Sequence, residues 1–133
     1  MKDLVWDNTL SVQVQEIDED HRRLVELFNL LGHAVEEGGS GEYIEALLDE
    51  LIACTVWHFK HEERLMLRYG YAGLDEHRQE HDELIESVKA LQQERQQQGV
   101  DITAEDIQFL EHWLTGHILG ADMDLGEFLS DLI

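Results

Sequence analysis

The stretch Leu47-Leu48-Asp49-Glu50-Leu51-Ile52-Ala53-Cys54 decides the fold. Its apolar residues, with Ile44 before them and Thr55 after, recur three and four apart, the spacing of one helix face and not the alternation of a strand. The same stripe runs on into His58, Glu62, Leu65 and Met66. A helix that begins as an ordinary core element therefore ends with titratable groups on its inner side.

The segments on either side follow the same pattern. A first helix over about 18–37 is expected to start at Asp18, a good N-cap, with Glu19 and Asp20 favourably placed in its first turn. Its stripe is Leu24, Val25, Leu27, Phe28 and Leu31, and Gly38-Gly39-Ser40-Gly41 stops it. The central helix covers about 42–67, and Tyr69-Gly70-Tyr71-Ala72-Gly73 turns the chain into a third over about 74–98, with Leu84, Ile85, Val88 and Leu91 inside. Gly99 ends it, and Thr103 caps a fourth over about 103–118, whose inner face is Ile107, Leu110, Leu114 and Ile118. Residues 1–17 read as a non-helical arm, alternating through Leu10-Ser11-Val12-Gln13-Val14. Residues 122–132 read as a short amphipathic C-terminal helix carrying Leu125, Phe128, Leu129 and Leu132. Amphipathic helices with brief connections specify an all-α, antiparallel up-down-up-down four-helix bundle, and 133 residues suit one domain spanning 1–133.

Composition agrees and sets limits. There is no proline, and the ten glycines fall largely between the periodic stretches. Thirty acidic against nine basic residues give a net charge of −21, which repels phosphate backbones and makes nucleic acid and anionic membrane poor partners. The single cysteine, Cys54, rules out an intramolecular disulfide and a cysteine-based zinc or iron–sulfur site. Met1-Lys2-Asp3-Leu4-Val5-Trp6-Asp7 lacks the apolar run of a signal peptide, and no segment approaches the roughly twenty apolar residues of a membrane span. A cytoplasmic protein is expected.

The chemistry resides in the histidines, eight in all. His58 and Glu62 are four apart, as are His77 and His81, so each pair lies on one helix face and reaches one centre. His117 closes the fourth helix with Asp122 five residues on, and His21 opens the first. In an antiparallel bundle the starts of odd helices and the ends of even ones share one end, so all seven groups converge. Buried imidazoles and carboxylates are costly without a compensating charge, and a metal supplies it. His33, His61 and His112 lie off the stripe or duplicate a better candidate and are assigned to the surface.

Five imidazoles and two carboxylates are too many for one ion. A nitrogen–oxygen set without thiolate suits two iron or manganese ions. If Glu62 and Asp122 both bridge, together with an oxo or hydroxo group, the ion with three histidines is filled at six ligands. Its partner with two keeps a position open for a small molecule.

The runs His58-Phe59-Lys60-His61-Glu62-Glu63, His77-Arg78-Gln79-Glu80-His81 and His117-Ile118-Leu119-Gly120-Ala121-Asp122 resemble the hemerythrin metal signature. So do the arm with Trp6, Ile17-Asp18-Glu19-Asp20-His21, Tyr69-Gly70-Tyr71 and Trp113-Leu114, which are similar to single-domain bacterial hemerythrins. The resemblance implies two non-haem irons. His77, His81 and His117 would bind the filled one, His21 and His58 the other, and Glu62 and Asp122 would bridge. It also implies reversible binding of dioxygen at the open iron, with azide and nitric oxide as other small ligands. Phe59, Trp113, Leu114 and Ile118 stand where the family's oxygen pocket has its apolar wall. Asp20, Ala72 and Met123 depart from the glutamine, proline and lysine common at those positions, and none removes a ligand. Oxygen storage, delivery or sensing is the leading expectation, ahead of a di-iron oxidase, peroxidase or nitric-oxide-handling enzyme and of an iron-storage or iron-sensing module. Five histidines against two carboxylates favour binding over oxidation chemistry.

Overall fold

The computed structural model describes residues 3–133, so Met1 and Lys2 of the expected arm lie outside the described residues. Five α-helices follow a short 3-10 turn at Asn8–Leu10: α1 Gln15–Glu36, α2 Gly41–Tyr69, α3 Leu74–Gln98, α4 Ala104–His117 and α5 Met123–Ser130. A π-helical turn, Ile118–Asp122, joins the last two. The described residues contain no strand. Helix α1 packs on α2 and α4, and α3 packs on the same two, which makes an antiparallel four-helix bundle.

Local chemistry sets most of the helix ends. The Ser40 hydroxyl accepts from the Tyr43 N–H, and Thr103 and Asp106 form a reciprocal capping box at the start of α4. Helices α2 and α3 end in left-handed residues, Gly70 and Gly99, each with φ 68°, a conformation open to glycine at no steric cost.

Two ends differ from the sequence expectation. Helix α1 starts at Gln15, not Asp18, and its N-cap Val14 gives no side-chain cap. Asp18 already lies in the first turn, and its carboxylate reaches back to the arm, accepting from the Val12 N–H at 2.9 Å and the Ser11 hydroxyl at 2.6 Å. It caps the arm, not its own helix. At the other end the expected gap between a fourth helix ending near 118 and a tail starting at 122 is absent, because the π-turn carries the helical path straight into α5.

The core comes in two parts with the histidines between them. One joins Leu24, Phe28, Leu31, Leu48, Leu51, Leu84, Val88, Ile107 and Leu110, while the other joins Val12, Val14, Ile17, Leu65, Met66, Leu114, Ile118, Leu125 and Leu129. Along α1 the order is Ile17, His21, Leu24, and along α2 it is Leu51, His58, Glu62, Met66. Each helix thus crosses from one apolar cluster to the other through a polar layer. The arm closes the second cluster, and at Gly126 it approaches so near that a β-carbon would collide with the Val12 carbonyl oxygen.

Candidate metal centre

The seven groups expected to converge do so, and all are at least nine-tenths buried. Helix α1 supplies His21 and α2 supplies His58 and Glu62. His77 and His81 come from α3, His117 from the last residue of α4 and Asp122 from the π-turn. That turn is what makes the last pair work. Residues five apart in an α-helix lie about 140° apart around the axis at 3.6 residues per turn. The wider i→i+5 winding brings Asp122 back to the side of His117, and their side chains stand 3.2 Å apart.

The two carboxylates divide their oxygens between two sets of imidazoles. Asp122 Oδ1 lies 2.9 Å from His77 Nε2 and 3.2 Å from His117 Nε2, while Oδ2 lies 3.0 Å from His21 Nε2. Glu62 Oε1 lies 3.0 Å from His81 Nε2 and 3.5 Å from His77 Nε2. Its Oε2 lies 3.5 Å from His58 Nε2 and 3.8 Å from His21 Nε2. Two ligand groups result, each able to hold one cation: Glu62, His77, His81, His117 and Asp122, and His21, His58, Glu62 and Asp122. They share both carboxylates.

These residues fit a bound cation on a test internal to the structure. The Nε2 atoms of all five imidazoles and all four oxygens of Glu62 and Asp122 are buried, and none meets hydrogen-bond geometry with a partner. Natural interiors leave few such atoms, because each costs about 1–3 kcal/mol. Nine in one buried layer are what metal coordination would satisfy together.

The outward ring nitrogens hold the imidazoles in orientation. His58 Nδ1 lies 2.9 Å from Asp20, His81 Nδ1 lies 3.1 Å from Glu63, and His117 Nδ1 lies 3.0 Å from Glu80. Glu63 is held in turn by Arg78 Nε at 3.1 Å. A carboxylate behind each of these three rings fixes the proton on Nδ1 and turns the Nε2 lone pair inward.

The electrostatics follow from burial and crowding. Burial pushes His81 down to about 2, aided by the neighbouring charges of His77 and His117. Burial likewise pushes His58 down to about 4 against the pull of Asp20. Burial raises Glu62 well above the usual carboxylate range, and the nearby Asp122 adds to it. Burial works the same way on Asp122, but His117 and the close Nε2 atoms of His21 and His77 outweigh it and hold the group well below its ordinary value. Burial lowers His117 too, and Asp122 reverses the sign.

The four residues expected as an apolar wall surround the cluster unevenly. Phe59 stacks on His81 with ring centroids 3.7 Å apart, and Trp113 stacks on His117 at 4.8 Å. Leu114 and Ile118 are buried in the second core cluster. Of the four, Leu114 lines an apolar cavity of about 30 Å³, together with Leu24, Phe28, Leu51, Thr55, Leu84, Val88 and Leu110. That volume admits a molecule of a few atoms.

His61 is not on the surface, contrary to the expectation from its position. It is buried between α1 and α2, with Nδ1 2.6 Å from Asp20, Nε2 3.1 Å from Glu16 and its ring 5.4 Å from that of Trp57. A histidine three residues after one ligand and one before another, opposite acids spaced four apart on the preceding helix, was the available signal. His112 is exposed, and His33 is half-buried and pairs with Asp3 of the arm.

An antiparallel bundle whose four main helices each turn imidazoles inward, onto a buried layer shared with two carboxylates, defines a cation-binding bundle. Its family is specific. The model described as "Hemerythrin HHE cation binding domain" matches residues 12–129, and the chain belongs to the hemerythrin family. It is 36% identical over 122 residues to a bacteriohemerythrin of Pseudomonas paraeruginosa, covering 92% of this chain and 78% of that one. A myohemerythrin of Riftia pachyptila is 30% identical over 118 residues, covering 89% of this chain and 87% of that one. The crystal structure of a wild-type hemerythrin superposes with a TM-score of 0.88 at 29% identity, covering 96% of this chain and 98% of that one. No helix among the described residues is long and apolar enough to cross a membrane.

Proposed function

We propose that this chain binds dioxygen reversibly at two non-haem irons, for oxygen storage, delivery or sensing. His77, His81 and His117 would hold one iron and His21 and His58 the other, with Glu62 and Asp122 shared. The observation that carries the reading is the division of each carboxylate, one oxygen facing the three-histidine set and one facing the two-histidine set. An oxo or hydroxo bridge would bring the first set to six ligands and leave the second with five. When bound, an iron pair would supply two electrons to dioxygen on binding and recover them on its release.

The chain's own residues do the rest. Glu63, Glu80 and Asp20 orient the imidazoles from behind. Phe59, Leu114 and Ile118 exclude water from the inner layer, since each is buried and apolar. The small apolar cavity beside Leu114 would suit a diatomic better than an organic substrate, which supports binding over oxidation of a larger molecule. Azide and nitric oxide would be the other small ligands of such a site.

The test is optical. The iron-loaded protein is reduced anaerobically, exposed to oxygen and then purged, while the visible charge-transfer band of the oxygenated form is followed. Its appearance and loss over several cycles supports a carrier. Immediate conversion to the oxidised form without that band would sink the carrier reading and favour an enzyme.

A further inference from the structure

We propose that His61 and Asp20 are positioning residues that lock His58 in place and so determine how firmly the iron on the His21 and His58 side is held; the inference rests on the two-iron reading above. It comes from an asymmetry behind the ligands. On the three-histidine side, His81 and His117 each have a carboxylate at Nδ1, and Arg78 fixes one of those carboxylates. On the other side His21 has no such support, for both of its ring nitrogens are buried without a hydrogen-bond partner. His58 is therefore the one ligand of its pair that is held from behind.

What holds it is a clamp between two helices. Asp20 Oδ2 accepts from His58 Nδ1 at 2.9 Å and from His61 Nδ1 at 2.6 Å, so one oxygen ties two rings of α2 to α1. His61 cannot swing away, because Glu16, one turn before Asp20 on α1, engages its Nε2 at 3.1 Å. Trp57 lies against the ring from outside. Removing the His61 donor frees the Asp20 carboxylate to rotate, and His58 loses its fixed orientation. The three-histidine side has no contact with this clamp and keeps its own supports.

The prediction is selective loss of one iron. Native and variant proteins are loaded with iron, an excess of a colorimetric iron chelator is added, and release is followed against total iron. His61→Leu, which keeps bulk and loses the donor, should release one iron about 10- to 100-fold faster than native and the other at the native rate. His61→Gln, which can still donate to Asp20, should stay within about threefold of native. Asp20→Ala should release that iron at least as fast as His61→Leu. Asp20→Asn, which keeps the shape and gives up the charge, should fall between Asp20→Ala and native and serves should a larger change prevent folding. Native release from His61→Leu or Asp20→Asn would overturn the inference. So would equal acceleration of both irons, the mark of general loosening, or failure of His61→Gln to rescue. A native protein that loads one iron or none would overturn the two-iron reading beneath it, a result distinct from two irons leaving alike.

Discussion

A methyl group at position 126 has no room, since the Val12 carbonyl oxygen and side chain of the arm already fill the place of a β-carbon. The contact is with backbone, so neither side can give way cheaply. Gly126→Ala should lower stability by about 1–3 kcal/mol through overpacking, read as a shift in the urea midpoint at unchanged slope. Protonation within the polar layer gives a second expectation, for the metal-free protein. Between pH 6.5 and 4.5, the ordinary values of histidine and glutamate, unfolded His58 and His81 gain protons that their folded forms refuse. Folded Glu62 keeps one that its unfolded form gives up. The unfolded state then binds one more proton net, and stability should fall on acidification by about 1 kcal/mol per pH unit in that window. Urea unfolding at several pH values checks both sign and slope. A flat or rising profile towards acid would contradict the protonation pattern.

The π-turn at Ile118–Asp122 makes the same kind of demand on a whole element. Inserting an alanine after Gly120 should space His117 and Asp122 six apart and carry Asp122 about 120° around the helix axis from His117. The expected outcome is a helical protein, by circular dichroism, with less bound iron than native, by metal analysis. Gly120→Ala should do the opposite of harm: no atom lies within 4 Å of the added β-carbon, and alanine gains up to about 1 kcal/mol of helix propensity over glycine. The π-turn also shows what the sequence did and did not disclose. The pairs His58 with Glu62 and His77 with His81 were legible because an α-helix puts residues four apart on one face. The spacing of five between His117 and Asp122 is equally visible, but a spacing alone does not specify a change of helix type. Asp18 misled for a related reason. As a residue type it favours an N-cap, but here the arm's Val12 N–H competes for its carboxylate and the helix starts earlier. His61 depends on how α1 is rotated against α2, a tertiary fact that periodicity within one helix does not contain.

Across the whole molecule, charge is the term the fold must withstand. Thirty acidic residues face nine basic ones, so the native state repels itself. Raising sodium chloride from about 10 mM to about 150 mM shortens the screening length from about 30 Å to about 8 Å and should raise the thermal midpoint. A fall would mean that attractive pairs such as Arg78 with Glu63 and Arg95 with Glu45 outweigh the repulsion. The polar layer acts at this scale too. His21 lies in the first long helix and Asp122 at the entry to the last, about a hundred residues apart in the chain, yet their side chains meet at 3.0 Å. A cation held by both is a cross-link in the topological sense, closing nearly the entire chain into a loop. For a covalent bridge across such a loop, the entropy removed from the unfolded ensemble is worth about 4–5 kcal/mol. The ligand that confers function would then also act as the fastener that slows global opening, so holo and apo forms should differ most in how long they survive a protease.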